Sequence, residues 1–149
     1  MSTVVLVVED DSDVTDLLRL ILVQKGFAPT IANNGHDALK LLASVQPAII
    51  FSDVMMPGMS GAEFCSVVRE HPAYTDTPMI VTSAQDEEAV RREFNCYDAF
   101  VPKPYEPDDL LDLMRKLLSD KVKPGARPRS SKPFAFSKIA LEFLDSPRT

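Results

Sequence analysis

Val4-Val5-Leu6-Val7-Val8 runs without a break into Glu9-Asp10-Asp11. The apolar run is rich in β-branched residues and lacks polar alternation, so it reads as a strand buried on both faces. Such a strand needs a helix layer above and below it. The carboxylates directly behind it mark the end of that strand as a place where charge is gathered.

The rest of the chain supplies the layers. Ser12 or Asp11 can cap a helix carrying Val14, Leu17, Leu18, Ile21 and Leu22 on one face, with Gly26 as its stop. Pro29–Ala32 reads as a short extended stretch. Asn33-Asn34-Gly35 then opens a helix with Ala38, Leu39, Leu41, Leu42 and Val45 that ends at Pro47. Ala48–Phe51 is a second buried strand, and Gly61–Glu70 a helix with Pro72 beyond it. Met79–Thr82 is a strand, Glu87–Asn95 a polar helix, and Ala99–Val101 a last short strand. Pro107–Leu118 is a helix with proline in its first turn. Strand and helix alternate throughout, which predicts an α/β fold: a doubly wound parallel sheet with right-handed crossovers.

Composition sets the class. The 149 residues are 45% hydrophobic and 26% charged, the balance of a globular domain with a short appendage. Residues 1–119 hold 9 Lys/Arg against 19 Asp/Glu, a net of −10, whereas residues 120–149 hold 7 against 3, a net of +4. An acidic body argues against a nucleic-acid-binding core. The sequence divides into a domain over 1–119, a basic Pro/Ser-rich linker over 120–133, and a short amphipathic segment over 134–149. No apolar run is long enough to span a bilayer, and the start lacks a basic n-region, so a cytoplasmic protein is expected. Cys65 and Cys96 form no CxxC and read as two small core residues in a reducing compartment, not as a disulfide or zinc site.

In an open α/β sheet, ligands sit outside the carboxyl ends of the strands. Glu9, Asp10 and Asp11 follow the first strand, Asp53 the third, Ser83 the fourth and Lys103 the fifth. Crowded carboxylates need a counter-charge, and an oxygen-only ligand set favours a hard cation such as Mg²⁺. A lysine and a hydroxyl beside it suit a phosphoryl group, with an aspartate as nucleophile. Taken singly, Asp53 is a turn residue, Ser83 a helix cap and Lys103 a solvated loop lysine. Jointly they are a site. Asp13 reads as an ordinary first-turn helix residue.

These residues resemble the receiver domains of two-component response regulators over about residues 3–119. Val7-Val8-Glu9-Asp10-Asp11 resembles the acidic motif, Asp53-Val54-Met55-Met56-Pro57-Gly58-Met59-Ser60-Gly61 the phosphorylation loop, Pro78–Ala84 the strand ending in Ser/Thr-Ala, and Lys103-Pro104 the Lys-Pro after the last strand. The resemblance implies a five-stranded sheet of flavodoxin-like order 2-1-3-4-5. It implies Asp53 as phospho-acceptor, and Mg²⁺ held by Asp10, Asp53 and the Met55 main-chain carbonyl, with Glu9 acting through water. Lys103 pairs with phosphoryl oxygens, Ser83 is the switch hydroxyl, and Phe100 is the aromatic switch residue. The implied donor is a histidine kinase or phosphotransfer protein. The implied output is to a protein partner, through the face of the fourth helix, fifth strand and fifth helix or through the C-terminal segment, with self-phosphorylation and self-dephosphorylation as the only catalysis. Phe100 departs from the commoner tyrosine, and Cys96-Tyr97 stands where Gly-Ala is usual. His36 and His71 read as surface or turn residues, and Met55, Met56 and Met59 as loop packing.

Two other classes share parts of this pattern. A haloacid-dehalogenase-type phosphohydrolase places its nucleophile after the first strand in an Asp-x-Asp motif, and a flavodoxin needs a Ser/Thr/Gly-rich loop there. Neither fits Glu9-Asp10-Asp11. Residues 120–149 are too few for a winged-helix effector, so a stand-alone receiver is expected, with a phosphorelay intermediate or part of a longer transcription factor as alternatives. In the tail, Phe136, Ile139, Ala140, Phe143 and Leu144 share one helical face. A helix that short must dock to be ordered, and a partner is favoured slightly over the chain's own domain.

Overall fold

A computed structural model describes residues 2–120 and 138–145, with backbone alone for 138–141. Its elements are β1 (Thr3–Val8), α1 (Ser12–Gln24), β2 (Phe27–Ala32), α2 (Gly35–Leu42), β3 (Ile49–Asp53), α3 (Gly61–Glu70), β4 (Met79–Ser83), α4 (Glu87–Glu93), β5 (Ala99–Pro102), α5 (Pro107–Asp120) and α6 (Lys138–Asp145), with a 3-10 turn at Pro72–Tyr74. The five strands are all parallel in the order β2-β1-β3-β4-β5. The expected fold is present.

Alternation along the central strands builds two cores. Val5, Val7, Ile49, Phe51 and Ile80 face α1 and α5, meeting Leu18, Leu22, Leu110 and Met114. Leu6, Val8, Ile50, Met79 and Val81 face the opposite way, meeting Leu39, Phe64, Val67 and Val90 from α2, α3 and α4. With both faces covered, every polar group after a strand is driven to the carboxyl edge of the sheet.

The boundaries differ where distant contacts intervene. β2 begins at Phe27, ahead of the expected Pro29, because an edge strand tolerates a proline that donates no ladder bond. α2 stops at Leu42 and does not reach Val45. The Ser44 hydroxyl donates to the Leu41 carbonyl, and the Tyr74 hydroxyl, from beyond α3, donates to the carbonyls of Leu42 and Val45. Those bonds satisfy the helix end without another turn. α4 ends at Glu93, since Phe94 turns to extended backbone and sets its ring 5.3 Å from that of Tyr97.

His71, read as a surface or turn residue, is interior, and so is Arg69, which the sequence did not single out. His71 is only 2% exposed, its ring tilted against those of Tyr74 and Phe143, with its Nδ1 accepting from the Ala73 amide. Arg69, on α3, is also buried. Its guanidinium donates to the carbonyls of Cys96, Tyr74 and Thr77 and pairs with Asp98 at 3.1 Å. Asp98 in turn accepts from the Met79 amide at 2.8 Å, so one ion pair ties α3 to both edges of the β4–β5 region. Cys65 and Cys96 are likewise corrected: both are fully buried, and their sulfurs are paired as a disulfide with Cα atoms 6.3 Å apart. Spacing alone hides this, because the crossover brings together positions 31 residues apart.

The tail reading is corrected in the same way. α6 packs on α2 and α3 of its own domain, and the Phe143 ring lies buried against Tyr74 and His71. Residues 121–133 of the linker, together with 134–137 and 146–149 of the segment, lie outside the described residues. Hydrogen exchange on the dilute monomer is therefore expected to show amide protection over residues 141–145. Phe143→Asp should bring exchange there to the free-peptide rate, because an eight-residue helix is unstable without its docking contact. Unprotected amides in the unsubstituted protein contradict the docked position.

Candidate functional site

Four segments converge at the carboxyl edge of the sheet, each placed by its strand. β1 ends at Val8 and delivers Glu9 buried and Asp10 exposed. Asp11 turns away to cap α1, accepting from the amides of Asp13 and Val14, and Asp13 sits exposed in the first turn. β3 ends on Asp53, which is 4% exposed. β4 ends on buried Ser83, and Lys103 follows β5.

The carboxylates of Glu9, Asp10 and Asp53 offer ligand atoms within 4.8 Å of one another. Lys103 Nζ donates to Asp53 Oδ2 at 2.7 Å and lies 3.5 Å from Glu9 Oε1. The other Asp53 oxygen, Oδ1, accepts from the Met55 amide at 3.1 Å, which folds the loop after β3 back over the acid. Lys103 is thus in contact with two of the three carboxylates. Burial first, then a hydrogen bond to Asp53 and its charge, push the Glu9 carboxyl up to about 7, against the pull of Lys103. Burial by itself lowers the Lys103 pKa, but the hydrogen bond and charge of Asp53, with Glu9 behind them, leave it above its ordinary value. Burial, then the charges of Glu9 and Asp53, push the Tyr105 phenol up to about 12.

The sign of the Glu9 shift matters. Folded Glu9 holds its proton more tightly than unfolded Glu9, so this group makes the metal-free domain less stable as pH rises from 4.5 to about 7. A divalent cation held there would offset that cost. A set of three carboxylates, Glu9, Asp10 and Asp53, with no histidine or cysteine in it, fits a hard ion of the Mg²⁺ type.

Glycine is required where the loop after β3 returns to α3. A Cβ on Gly61 stands 2.7 Å from the Val54 Cα and 2.9 Å from the Asp53 carbonyl oxygen, a clash with backbone. Gly58 takes φ +80°, the left-handed region that side chains disfavour. Ser60 then caps α3 by accepting from the Glu63 amide. Of the loop methionines, Met59 is fully buried, whereas Met55 is exposed, so the reading of Met55 as loop packing is corrected.

The two hydroxyls at the end of β4 differ in their bonds. The Thr82 hydroxyl donates to the Val101 carbonyl at 2.6 Å and is committed to the sheet. The Ser83 hydroxyl accepts from the Gln85 amide at 3.0 Å. Phe100 is half-buried, packed against the core on the α2–α4 side. Beside the acids, a cleft of about 660 Å³ opens between α1 and the segment after β5, lined by Val14, Leu17, Lys103, Tyr105 and Pro107. Tyr105 was not singled out in the sequence. Its place two residues after Lys103 is the signal that marks it, and its ring meets Phe51 edge-on at 5.7 Å.

Comparison with known proteins agrees with this geometry. The sequence model of the response regulator receiver domain matches residues 5–115. The response regulator MprA of Mycolicibacterium vanbaalenii is 35% identical over 140 residues, which are 93% of this chain and 59% of that protein. The chain thus spans about three-fifths of such relatives. A receiver domain of a signal transduction histidine kinase from Syntrophus aciditrophicus superposes with a TM-score of 0.74 at 31% identity, covering 91% of this chain and 100% of that one. TrrA of Thermotoga maritima, a response regulator solved in complex with Mg²⁺ and BeF, superposes with a TM-score of 0.70 at 29% identity over 77% of this chain and 98% of its own.

Proposed function

The chain belongs to the response regulator receiver domain family, and from that premise we propose that Asp53 accepts a phosphoryl group in a Mg²⁺-dependent reaction. The donor is the phosphohistidine of a histidine kinase or phosphotransfer protein, the setting is the cytoplasm, and the output is a conformational change read by a protein partner. One observation carries the reading: Asp53 lies at the mouth of the sheet with Lys103 bonded to it and Glu9 and Asp10 beside it.

Asp10, Asp53 and the Met55 carbonyl would hold the cation, with Glu9 acting through water. When bound, Mg²⁺ offsets the negative charge of the incoming phosphoryl oxygens. The Asp53 carboxylate attacks phosphorus, the bond from phosphorus to the donor nitrogen breaks, and an acyl phosphate remains on residue 53. Lys103 keeps its ammonium beside the new phosphoryl oxygens as a point charge. Ser83 exchanges its contact with the Gln85 amide for a phosphoryl oxygen, and Phe100 turns into the space released. Phosphorylation thereby biases a two-state element by a local change of charge. Phe100 has no hydroxyl, so packing alone reports the switch. The face of α4, β5 and α5 is then the surface that changes, and a phosphorelay role uses the same chemistry.

Isothermal titration with Mg²⁺ tests the metal half of this reading. Asp10→Asn is expected to weaken binding by at least about tenfold, the loss of one charged ligand contact. Asp13→Asn should leave affinity within about twofold, its charge being exposed and screened in the first turn of α1. Equal losses in the two variants contradict the assignment.

A further inference from the structure

α3 presents two side chains one turn apart to the same stretch of chain. Cys65 and Arg69 both point at the connection between α4 and β5, where Cys96 and Asp98 lie. The Arg69 Nε donates to the Cys96 carbonyl at 2.8 Å, and its terminal nitrogen pairs with Asp98. That anchor does not involve sulfur. It holds the Cys96 backbone beside α3 with the Cα atoms 6.3 Å apart, inside the range of roughly 4.4–6.8 Å that a disulfide requires. The two cysteines are therefore placed for bonding by the ion pair, and each also serves, when reduced, as a small buried apolar residue.

We propose that Cys65 and Cys96 are a reversible oxidation site, and that their bond restrains the α4–β5 limb. The first half stands on the placement alone, and the restraint rests on the receiver reading given above. The oxidant is a low-molecular-weight disulfide. One cysteine thiolate attacks it, forming a mixed disulfide and expelling one thiol of the reagent. The second cysteine then attacks the mixed disulfide, forming the Cys65–Cys96 bond and expelling the other. Two electrons pass to the reagent, and the two cysteine protons end on the two thiols released. Both sulfurs are fully buried, so each step proceeds through local opening. The segment that opens is short: α4 spans seven residues and its ion pairs, Glu87 with Arg91 and Glu88 with Arg92, face solvent.

The position gives the bond its consequence. Cys96 lies three residues before the start of β5, which carries Phe100 and leads to Lys103, while Cys65 belongs to α3, which packs on the loop after Asp53. A covalent tie across these elements holds α4 and β5 in the arrangement they have before phosphorylation. In a thiol-rich compartment such a bond is transient and reports oxidising conditions.

The test uses the full chain in mixtures of oxidised and reduced dithiothreitol, quenched by alkylation and mapped by peptide mass spectrometry. A Cys65–Cys96 cross-linked peptide within the monomer is expected under oxidising mixtures, with both thiols alkylated after reduction. Thiols that stay free throughout, or bonds only between chains, overturn the site. Hydrogen exchange over residues 87–102 is then followed on adding Mg²⁺ and beryllium fluoride to each form. The reduced protein and Cys96→Ala should respond in both buffers, and the oxidised protein should lose the response. Equal responses of the oxidised and reduced protein overturn the restraint alone. No response in either form overturns the receiver switch and the restraint together.

Discussion

Asp53→Asn is expected to eliminate phosphoryl uptake from a small phosphodonor such as acetyl phosphate in the presence of Mg²⁺. The amide has nearly the shape of the carboxylate, so its oxygen can still accept from Lys103 Nζ and the fold is retained. It has no anionic oxygen to attack phosphorus, and an amide is a poor nucleophile at neutral pH. The variant should also be at least as stable as the parent. Asp53 is a principal source of the negative charge that raises the Glu9 pKa, and its removal lets Glu9 ionise more readily beside Lys103. Intact-protein mass spectrometry after incubation reads the result: one added phosphoryl group in the parent and none in the variant. Undiminished uptake by a folded Asp53→Asn protein sinks the assignment.

Arg69→Ala should carry the largest stability loss of any single surface-to-core contact described, about 3–5 kcal/mol. Truncation removes the partner of Asp98, whose side chain is 5% exposed, and strands carbonyls at Tyr74, Thr77 and Cys96 in the interior. A buried carboxylate that has lost its guanidinium dominates the cost, so Arg69→Ala combined with Asp98→Asn should recover part of it. Arg69→Lys should not restore the parent, because one ammonium cannot reproduce donors directed at several carbonyls at once. Urea unfolding followed by circular dichroism gives the answer, and a loss below about 1 kcal/mol excludes this role, since that is the size of a surface pair.

What the sequence makes legible, and what it hides, follows from the range of the interactions involved. β1 and β3 are evident because central parallel strands are apolar on both faces, and that property is local. The residues that end those strands, Glu9, Asp10 and Asp53, are legible for the same reason: the carboxyl edge of a covered sheet is where polar groups can go. Choosing Ser83 over Thr82 uses the spacing from Pro78 and the Ala84 that follows, both local, and the Thr82 hydroxyl is bonded to the Val101 carbonyl. The misread features are those decided from afar. α2 is cut short by a tyrosine hydroxyl from another element, His71 is interior because Tyr74 and Phe143 close against it, and Cys65 meets Cys96 only after the α3–β4–α4 crossover closes. α6 belongs with these. Its apolar face was plain, but the groove it fills is made by Tyr74 and His71, and nothing in a hydrophobic period identifies the surface that receives it.

The central claim is a particular bond on a particular atom, and borohydride trapping addresses it most directly. The protein is incubated with acetyl phosphate and Mg²⁺, reduced with borohydride, digested and sequenced by tandem mass spectrometry. Borohydride converts an acyl phosphate of aspartate to homoserine and leaves free carboxylates untouched. Homoserine at position 53, absent when the metal is chelated, is the predicted result. Homoserine at Asp10 or Asp11 with residue 53 still read as aspartate, or no homoserine at all, contradicts the account.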